Sequence, residues 1–473
     1  MTELLRIAPV ADRLGELFEA AGHQLYLVGG SVRDALLGRL QHDLDFTTSA
    51  RPDDVEALLR QFSPSVWTIG KEFGTVGCKV VEDGVPWVIE VTTFRSDAYV
   101  VDSRKPSVAF GDTLEGDLVR RDFTVNAMAV SIPGKTFVDP YGGLGDLAAA
   151  SIRTPAAPET SFSDDPLRMM RAARFAAQLG FVPVAEVVTA MTEMADRISI
   201  ISAERVRDEL TKTLLSDRPR AGLDLMVKTG LADRVLPELP ALRLEPDEHH
   251  RHKDVYDHSL TVLEQAIELE YRLPERPDLI NRLAALLHDV GKPATRTFEP
   301  GGKVSFHHHD VVGAKLVRKR LTALRFSNDE IKAVSELVFL HLRFHGYGNH
   351  LGSQGAWTDS AVRRYVRDAG DQLARLHILT RADSTTRNKA RSARLREAYD
   401  DLERRIAELA EQEEMASLRP DLDGTQIMKI LDLPPGPDVG RAYHYLLERR
   451  IDDGPLGPDR ARDELLAWWA AEH

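Results

Sequence analysis

Asp43 and Asp45, in Asp43-Leu44-Asp45-Phe46, are two carboxylates spaced to share one cation. On a strand, residues two apart project from one face. Carboxylates held that close repel unless a cation lies between them. Oxygen ligands of this kind suit Mg2+, which can organise a triphosphate and activate an attacking hydroxyl. A third acid, Glu90, lies in the segment 87–94. Its sequence neighbours are apolar, and an unpaired acid among them would be costly, so Glu90 either joins the pair or is balanced by a base such as Arg95. Just upstream, Gly29-Gly30 forces a turn where the backbone can approach a ligand closely. Ser31 suits a helix N-cap, with Asp34 as a near-capping-box acid. Exposed amides at such a turn cradle phosphate, and Arg33 would add charge-assisted contacts. Taken singly these are a turn, a solvated acid pair and a salt-bridged glutamate. In this order they point to nucleotidyl transfer.

Further charge follows. Arg120 and Arg121 could hold a triphosphate or RNA backbone, with Asn126 bonding a sugar or base. The plainer alternative is a helix capped by Asp122 or Thr124 with solvated arginines. Asp139 to Asp146 is glycine-rich, either a mobile connection or a surface loop. Asp165 and Arg168, at helical spacing of three, fall on one face and would otherwise form an ordinary salt bridge. Arg168, Arg171 and Arg174 recur every three residues as a phosphate-facing stripe or a solvated helix face.

Histidines form a second concentration. Eleven of 16 fall between His249 and His350, suggesting a metal-binding module. His288-Asp289 closes an apolar helix stopped by Gly291 and Pro293. His258 opens an earlier helix, and His307-His308-His309, His341 and Asp383 follow. His249, His250, His252, His345 and His350 are assigned no role.

The elements that must position these groups are legible as patterns. At 473 residues the chain exceeds one hydrophobic core. The first part alternates an amphipathic helix over about 7–21 with strand-like segments at 25–28, 44–47, 66–69, 75–81 and 87–94, an α+β head with one mixed sheet. From residue 164 helical periodicity dominates. The expected domains are a nucleotidyltransferase head (1–148), an all-α neck (149–248), a histidine-bearing helical domain (249–390) and a charged helical tail (391–473). The single cysteine, Cys78, excludes an internal disulfide framework and fits a reducing cytoplasm. The acid-bearing N-terminal stretch does not read as a signal peptide, and no apolar run reaches bilayer length. A net charge of −13 argues against a uniformly basic nucleic-acid binder but leaves room for a local basic track.

The segment Val28 to Asp34 with Asp43 to Phe46 resembles the head of class II tRNA nucleotidyltransferases and bacterial poly(A) polymerases, of the polymerase β superfamily. The likeness extends over about residues 24–215. Arg120 to Ala129 resembles that family's RRDFT-x-NAMA motif, and Asp139 to Asp146 its hinge. Asp164 to Arg168 resembles its E-D-x-x-R motif, with Asp replacing Glu at 164; Ser202 to Leu210 resembles its last neck motif, which braces the nucleotide site. The resemblance implies addition or repair of the CCA end of tRNA from CTP and ATP. It also implies Mg2+ on Asp43 and Asp45, assistance by Glu90, and base reading by Asp165 and Arg168. A poly(A) polymerase and a CC- or A-adding specialist share these motifs. Residues 249–390 resemble the HD phosphohydrolase superfamily. This implies metal ligands His258, His288, Asp289 and Asp383, with His309 and His341 at positions that hold a second metal in some members. Such mixed ligands favour Mn2+, Co2+, Ni2+, Fe or Zn2+. The metal would acidify a water to attack a phosphoester, with Lys292 steadying the phosphate. The remaining alternative is an HD phosphohydrolase whose head only binds nucleotide or RNA.

Overall fold

A computed structural model describes residues 9–39, 42–95, 110–243, 254–299, 303–344, 347, 357–384, 389–413 and 419–472. His249, His250, His252, His345 and His350 lie outside them. The chain forms two compact units, Met1–Pro240 and Ala241–His473.

The first unit begins with helix α1 (Pro9–Ala20), strand β1 (Leu25–Val28), α2 (Gly30–Leu36), β2 (Asp43–Thr48) and α3 (Pro52–Phe62). Strands β3 (Ser65–Trp67), β4 (Thr75–Glu82) and β5 (Val85–Thr93), helix α4 (Leu114–Val119) and strands β6 (Ala129–Ser131) and β7 (Phe137–Val138) follow. The seven strands make one mixed sheet in the order β3-β4-β5-β2-β1-β6-β7. The β2–β5 pair is parallel and places Asp45 opposite Glu90. The third strand stops at Trp67, two residues short of the expected end, because Ile69 enters the turn before β4.

Alternation decides which face is core. Leu44, Phe46, Cys78, Ile89 and Val91 are buried against α1 and α3, with Val10, Leu14, Phe18, Val55 and Leu59. Asp43, Asp45 and Glu90 therefore emerge on the opposite, solvent-facing side.

The rest of this unit is mainly helical: α5 (Gly143–Ala148), α6 (Pro158–Asp164), α7 (Leu167–Leu179), α8 (Ala185–Met194), α9 (Ala203–Leu214), α10 (Pro219–Lys228) and α11 (Ala232–Val235). A two-strand parallel ladder, β8 (Ser151–Ile152) with β9 (Val182–Pro183), departs from the expected all-α neck. Gly142 adopts φ 73° at the start of α5, and both oxygens of Asp139 accept from the Gly143 and Leu144 amides. The Asp139–Asp146 segment is thus a capped helix start rather than a bare loop.

The second unit contains α12 (Val255–Glu268), α13 (Leu279–Leu287), α14 (Lys292–Thr295), α15 (His309–Ala323) and α16 (Asn328–Leu340), then the helices Asp359–Ala369, Leu373–Asp383 and Lys389–Glu413. A β-ladder, β10 (Thr297–Glu299) with β11 (Lys303–Ser305), interrupts them. The last three helices, Gly424–Leu431, Pro437–Asp453 and Pro458–Glu472, share a small core of Leu422, Ile427, Ala442, Leu446, Ala461 and Leu465. No helix among the described residues is long and apolar enough to cross a membrane.

Candidate active site and metal centre

In the first unit a cleft of about 450 Å3 is lined by Gly29, Gly30, Asp45, Asn126, Asp165 and Arg168, and by Arg120, Arg121 and Arg171. Thr75, Thr92, Arg95, Asp122 and Arg205 complete it. Asp43 and Asp45 on β2 and Glu90 on β5 share the adjoining sheet face. Glu90 is exposed there, and its apolar sequence neighbours Ile89 and Val91 point the other way, so the expected apolar surroundings are absent. Among the described residues none of the three acids forms an ion pair. Burial of its surroundings and then the charges of Asp45 and Asp43 raise the Glu90 pKa. Asp45 lines the cleft; loss of solvation raises it, Arg121 opposes this, and Asp43 adds to it. This surplus of negative charge fits a divalent cation completed by phosphate oxygens.

The glycine turn meets this face through Ser31. Gly29 takes φ 68° and is itself the N-cap of α2, without a side-chain bond. Ser31 does not cap the helix. Its hydroxyl accepts from the Asp45 amide at 3.0 Å and donates to the Asp43 carbonyl at 3.3 Å. Asp34 is not a capping-box acid either, since it takes both Nε and Nη2 of Arg33, at 2.8 and 2.9 Å. Arg33 also donates to Asn126 Oδ1 at 2.7 Å and stacks on Phe175. Arg33 is thus already engaged by Asp34, Asn126 and Phe175, with its guanidinium against Gly30.

Arg120 and Arg121 are braced from below. Asp117, fully buried, accepts from them at 2.8 and 3.0 Å. Burial alone would raise this carboxyl, but Arg121 and Arg120 outweigh it and hold it low. Asp122 caps no α-helix. It accepts from the Phe123 amide and from Asn126 Nδ2, and pairs with Arg171 at 2.7 Å. Arg171, Asn126 and to a lesser degree Arg168 and the Phe123 amide overcome the burial of Asp122 and lower it as well.

Asp165 lies outside the helix, in extended conformation between α6 and Pro166. It does not pair with Arg168. Its Oδ2 accepts from Arg205 on α9 at 2.9 Å and its Oδ1 from the Leu167 amide at 3.1 Å. Arg168 is buried and donates to Ser161 Oγ at 2.9 Å and to the Arg120 carbonyl. The three-residue arginine stripe resolves into different roles. Arg168 and Arg171 line the cleft, whereas Arg174 pairs with Glu209 at 3.2 Å and stacks on Phe175. The Nε atoms of Arg121 and Arg171 are buried without a hydrogen-bond partner among the described residues, as suits an anionic ligand.

Sequence reasoning missed Thr75, Thr92, Asp117 and Asp122 as parts of this site, and treated Arg205 only within a bracing motif. Asp117 carried a usable signal, since it stands three and four residues before the two arginines.

The second unit gathers His258 on α12, His288 and Asp289 after α13, His309 at the start of α15, His341 after α16 and Asp383 at the end of the helix Leu373–Asp383. Two groups have ligand atoms within 4.8 Å of one another: His258, His288 and Asp289, and Asp289, His309 and His341. Asp289 belongs to both. His258 Nε2 lies 2.9 Å from Asp383 Oδ1, bringing that acid to the first group. The Nδ1 atoms of His288, His309 and His341 donate to the carbonyls of Ala285, Phe306 and Val338, at 2.9, 2.8 and 2.6 Å. Among the described residues their buried Nε2 atoms make no well-formed hydrogen bond, although those of His288 and His309 lie 3.2 and 3.4 Å from the Asp289 oxygens. Carbonyls that hold Nδ1–H leave Nε2 to face a metal, and an orphaned inward set of this kind fits one.

Burial opposes charge on His288, yet Asp289 and Asp383 hold it protonated up to about 10, a proton that a cation would replace. Burial and then His288 press His341 down to about 4. Lys292, expected to face phosphate, instead pairs with Asp289 at 2.5 Å. Gly291 does not end a helix by a left-handed turn. A Cβ there would meet the His309 carbonyl at 2.0 Å, so the glycine admits α15 against the metal-facing turn.

Comparison with known proteins follows this division. A poly(A) polymerase head domain matches residues 25–153, a probable RNA- and SrmB-binding site of polymerase A matches 180–242, and an HD domain matches 255–388. An A-adding tRNA nucleotidyltransferase of Deinococcus radiodurans is 34% identical over 454 residues, covering 94% of this chain and 95% of the relative. A CCA-adding enzyme of Levilactobacillus brevis is 44% identical over 217 residues, 46% of this chain and 52% of that enzyme. Among solved structures, the Bacillus stearothermophilus CCA-adding enzyme in complex with CTP aligns with a TM-score of 0.66 and 26% identity, covering 98% of this chain and 99% of that one.

Proposed function

Because this chain belongs to the family of tRNA nucleotidyltransferases and poly(A) polymerases and carries an HD domain behind the head, we propose that it builds or repairs the 3′-terminal CCA of tRNA from CTP and ATP. The observation that carries this reading is the face shared by Asp43, Asp45 and Glu90 beside an arginine-lined cleft. The tRNA 3′ hydroxyl attacks the α-phosphorus of the nucleotide in line, a new phosphodiester forms, and pyrophosphate leaves. Mg2+ held by Asp43 and Asp45 would supply positive charge at the triphosphate and acidify the hydroxyl.

The chain's own groups do the rest. Glu90, raised above an ordinary glutamate, takes the hydroxyl proton on its carboxylate. The Gly29–Gly30 amides, Arg120 and Arg121 receive phosphate oxygens. Asp165 accepts from an exocyclic amine and Arg168 donates to the adjacent acceptor, a pattern that CTP and ATP share and UTP and GTP lack. Positioning and fixed charge then supply most of the rate. Arg33 and Arg174 enter as braces.

In the second unit, His258, His288, Asp289 and Asp383, with His309 and His341 for a second ion, would hold a transition metal such as Mn2+, Ni2+, Co2+, Fe or Zn2+ that activates water for phosphoester hydrolysis. The tail, residues 391–473, would hold the tRNA body, and the protein would act in the cytoplasm.

A second reading, addition of A alone, is favoured by the A-adding activity of the relative that aligns over almost the whole chain. Extension of tRNA transcripts ending before CCA, after C and after CC, with each nucleotide alone and together, decides between them. Completion of all three to CCA is expected. Extension of only the CC-ending transcript, by one A, would make this an A-adding enzyme, and unlimited A tails on any RNA would make it a poly(A) polymerase.

A further inference from the structure

A row of residues runs across the solvent face of the head sheet. Asp45 is opposite Glu90, Glu90 is opposite Gly77, and Gly77 is opposite Trp67. Directly opposed residues project from one face, so Trp67 shares the face of the carboxylates. Gly77 leaves room for it: a Cβ there would lie 2.3 Å from the indole Cε2 and Cζ2 atoms, so the ring covers the bare backbone of β4. Strands are about 4.8 Å apart, which puts the indole roughly one strand spacing from Glu90.

Trp67 does not serve the core. Its neighbour Val66 packs against the main cluster on the other face, and Trp67 is outside it and only partly buried. The segment that follows it also exposes apolar side chains. Ile69 is 89% exposed and Phe73 44%. A large aromatic ring in the same row as Glu90 and Asp45 has no evident purpose for a triphosphate.

Strand order says which reactant they face. The Gly29–Gly30 turn follows β1, on one side of β2, while β5, β4 and Trp67 lie on the other. In-line displacement needs the attacking hydroxyl and the leaving pyrophosphate on opposite sides of the α-phosphorus. With phosphates at the glycine turn, the acceptor enters over β5 and β4. We infer that Trp67 is the stacking platform for the base of the RNA acceptor's terminal nucleotide, setting its 3′ hydroxyl beside Glu90. Every base presents a π-face, so such a platform accepts a terminus of any identity, as an enzyme extending successive ends requires. The inference rests on the nucleotidyltransferase reading of the head.

The test uses the full chain, the variants W67A and W67F, and labelled acceptor RNAs with an intact or an abasic terminal nucleotide. With W67A the acceptor KM should rise about 5- to 150-fold, the equivalent of about 1–3 kcal/mol. The KM values for CTP and ATP should stay put, and W67F should recover most of the loss. An abasic terminus should weaken wild type similarly and gain no further penalty from W67A. Unchanged acceptor KM in W67A, or an abasic acceptor penalised as heavily by W67A as the intact one, would overturn the platform. RNA binding without nucleotide separates the two readings. Trp67-dependent binding of intact but not abasic ends, with no transfer by wild type, would sink nucleotidyl transfer and leave the platform standing. Transfer with Trp67-independent binding would sink the platform alone.

Discussion

Arg205 donates to Oδ2 of Asp165 at 2.9 Å from a helix 40 residues further along the chain, while the Leu167 amide holds Oδ1 at 3.1 Å. The carboxylate is thereby fixed from both sides, in extended backbone just before α7. A base edge presented to it meets an acceptor whose orientation does not depend on the ligand, and whose charge is already partly neutralised.

Removing that brace should loosen nucleotide choice more than turnover. Arg205 is about half exposed, so its pair with Asp165 is weakened by solvent. R205A should raise the KM for CTP and ATP by roughly 3- to 10-fold and increase incorporation of UTP and GTP, with R205K between. Single-turnover incorporation of all four nucleotides measures this. Unchanged discrimination would show that Arg205 only ties α9 to the neck.

Asp43→Ala or Asp45→Ala should lower nucleotide addition by roughly 10^2- to 10^3-fold or more and leave Co2+- or Ni2+-dependent phosphatase activity of the second unit intact. Parallel assays of the two activities check it. Loss of both would argue against separate sites.

Asp45 should cost stability when no cation is present. The Asp45 pKa is raised, first by loss of solvation and then by the charge of Asp43, so the folded state disfavours its charged form and above the ordinary carboxylate range this weakens the fold. Asp45→Asn should raise the melting temperature of the first unit in EDTA, by less than about 4 °C because the group is exposed. The gain should shrink as Mg2+ is added. A variant less stable than wild type in EDTA would show that Asp45 does not sit in uncompensated repulsion.

Asp117 and Asp122 have the opposite sign. Their lowered pKa values contribute stability that is complete above the unfolded carboxylate pKa and lost as pH falls through the still lower folded value. The melting-temperature advantage of wild type over Asp122→Asn should be full at neutral pH and should narrow only below about pH 4. An advantage independent of pH would place the effect in packing.

In the second unit, His309→Ala or His341→Ala should reduce bound metal from two ions to one, whereas Asp289→Ala should remove both. Each lost ligand should weaken its ion by about 10- to 100-fold or more. Gly291→Ala should act like a lost ligand, because its methyl group would collide with the His309 carbonyl. Metal content after dialysis, by elemental analysis, is the readout. Full occupancy in the glycine variant would mean that α15 yields without moving His309.

Much of this was legible in the residues. The strands β1, β2, β4 and β5 follow from short runs of β-branched, aromatic and apolar residues between Gly and Pro, and the shared face of Asp43 and Asp45 follows from the strand period. Errors came where local rules competed with distant partners. Ser31 has the chemistry of an N-cap, yet β2 passes close enough to claim its hydroxyl. Asp165 and Arg168 have helical spacing, yet Pro166 delays the helix and Arg205 arrives from elsewhere. Glu90 looked surrounded because sequence neighbours were counted without regard to the face they occupy. Arg33 and Arg174 looked available because their partners Asn126 and Glu209 lie on other elements. Spacing fixes the direction of a side chain; it does not say which other element will meet it.

The Ser31 hydroxyl, bonded to the backbone of both Asp43 and Asp45, has a mechanical consequence. The glycine turn and the carboxylate strand are pinned to each other through one atom, so neither can shift without breaking a bond to the other.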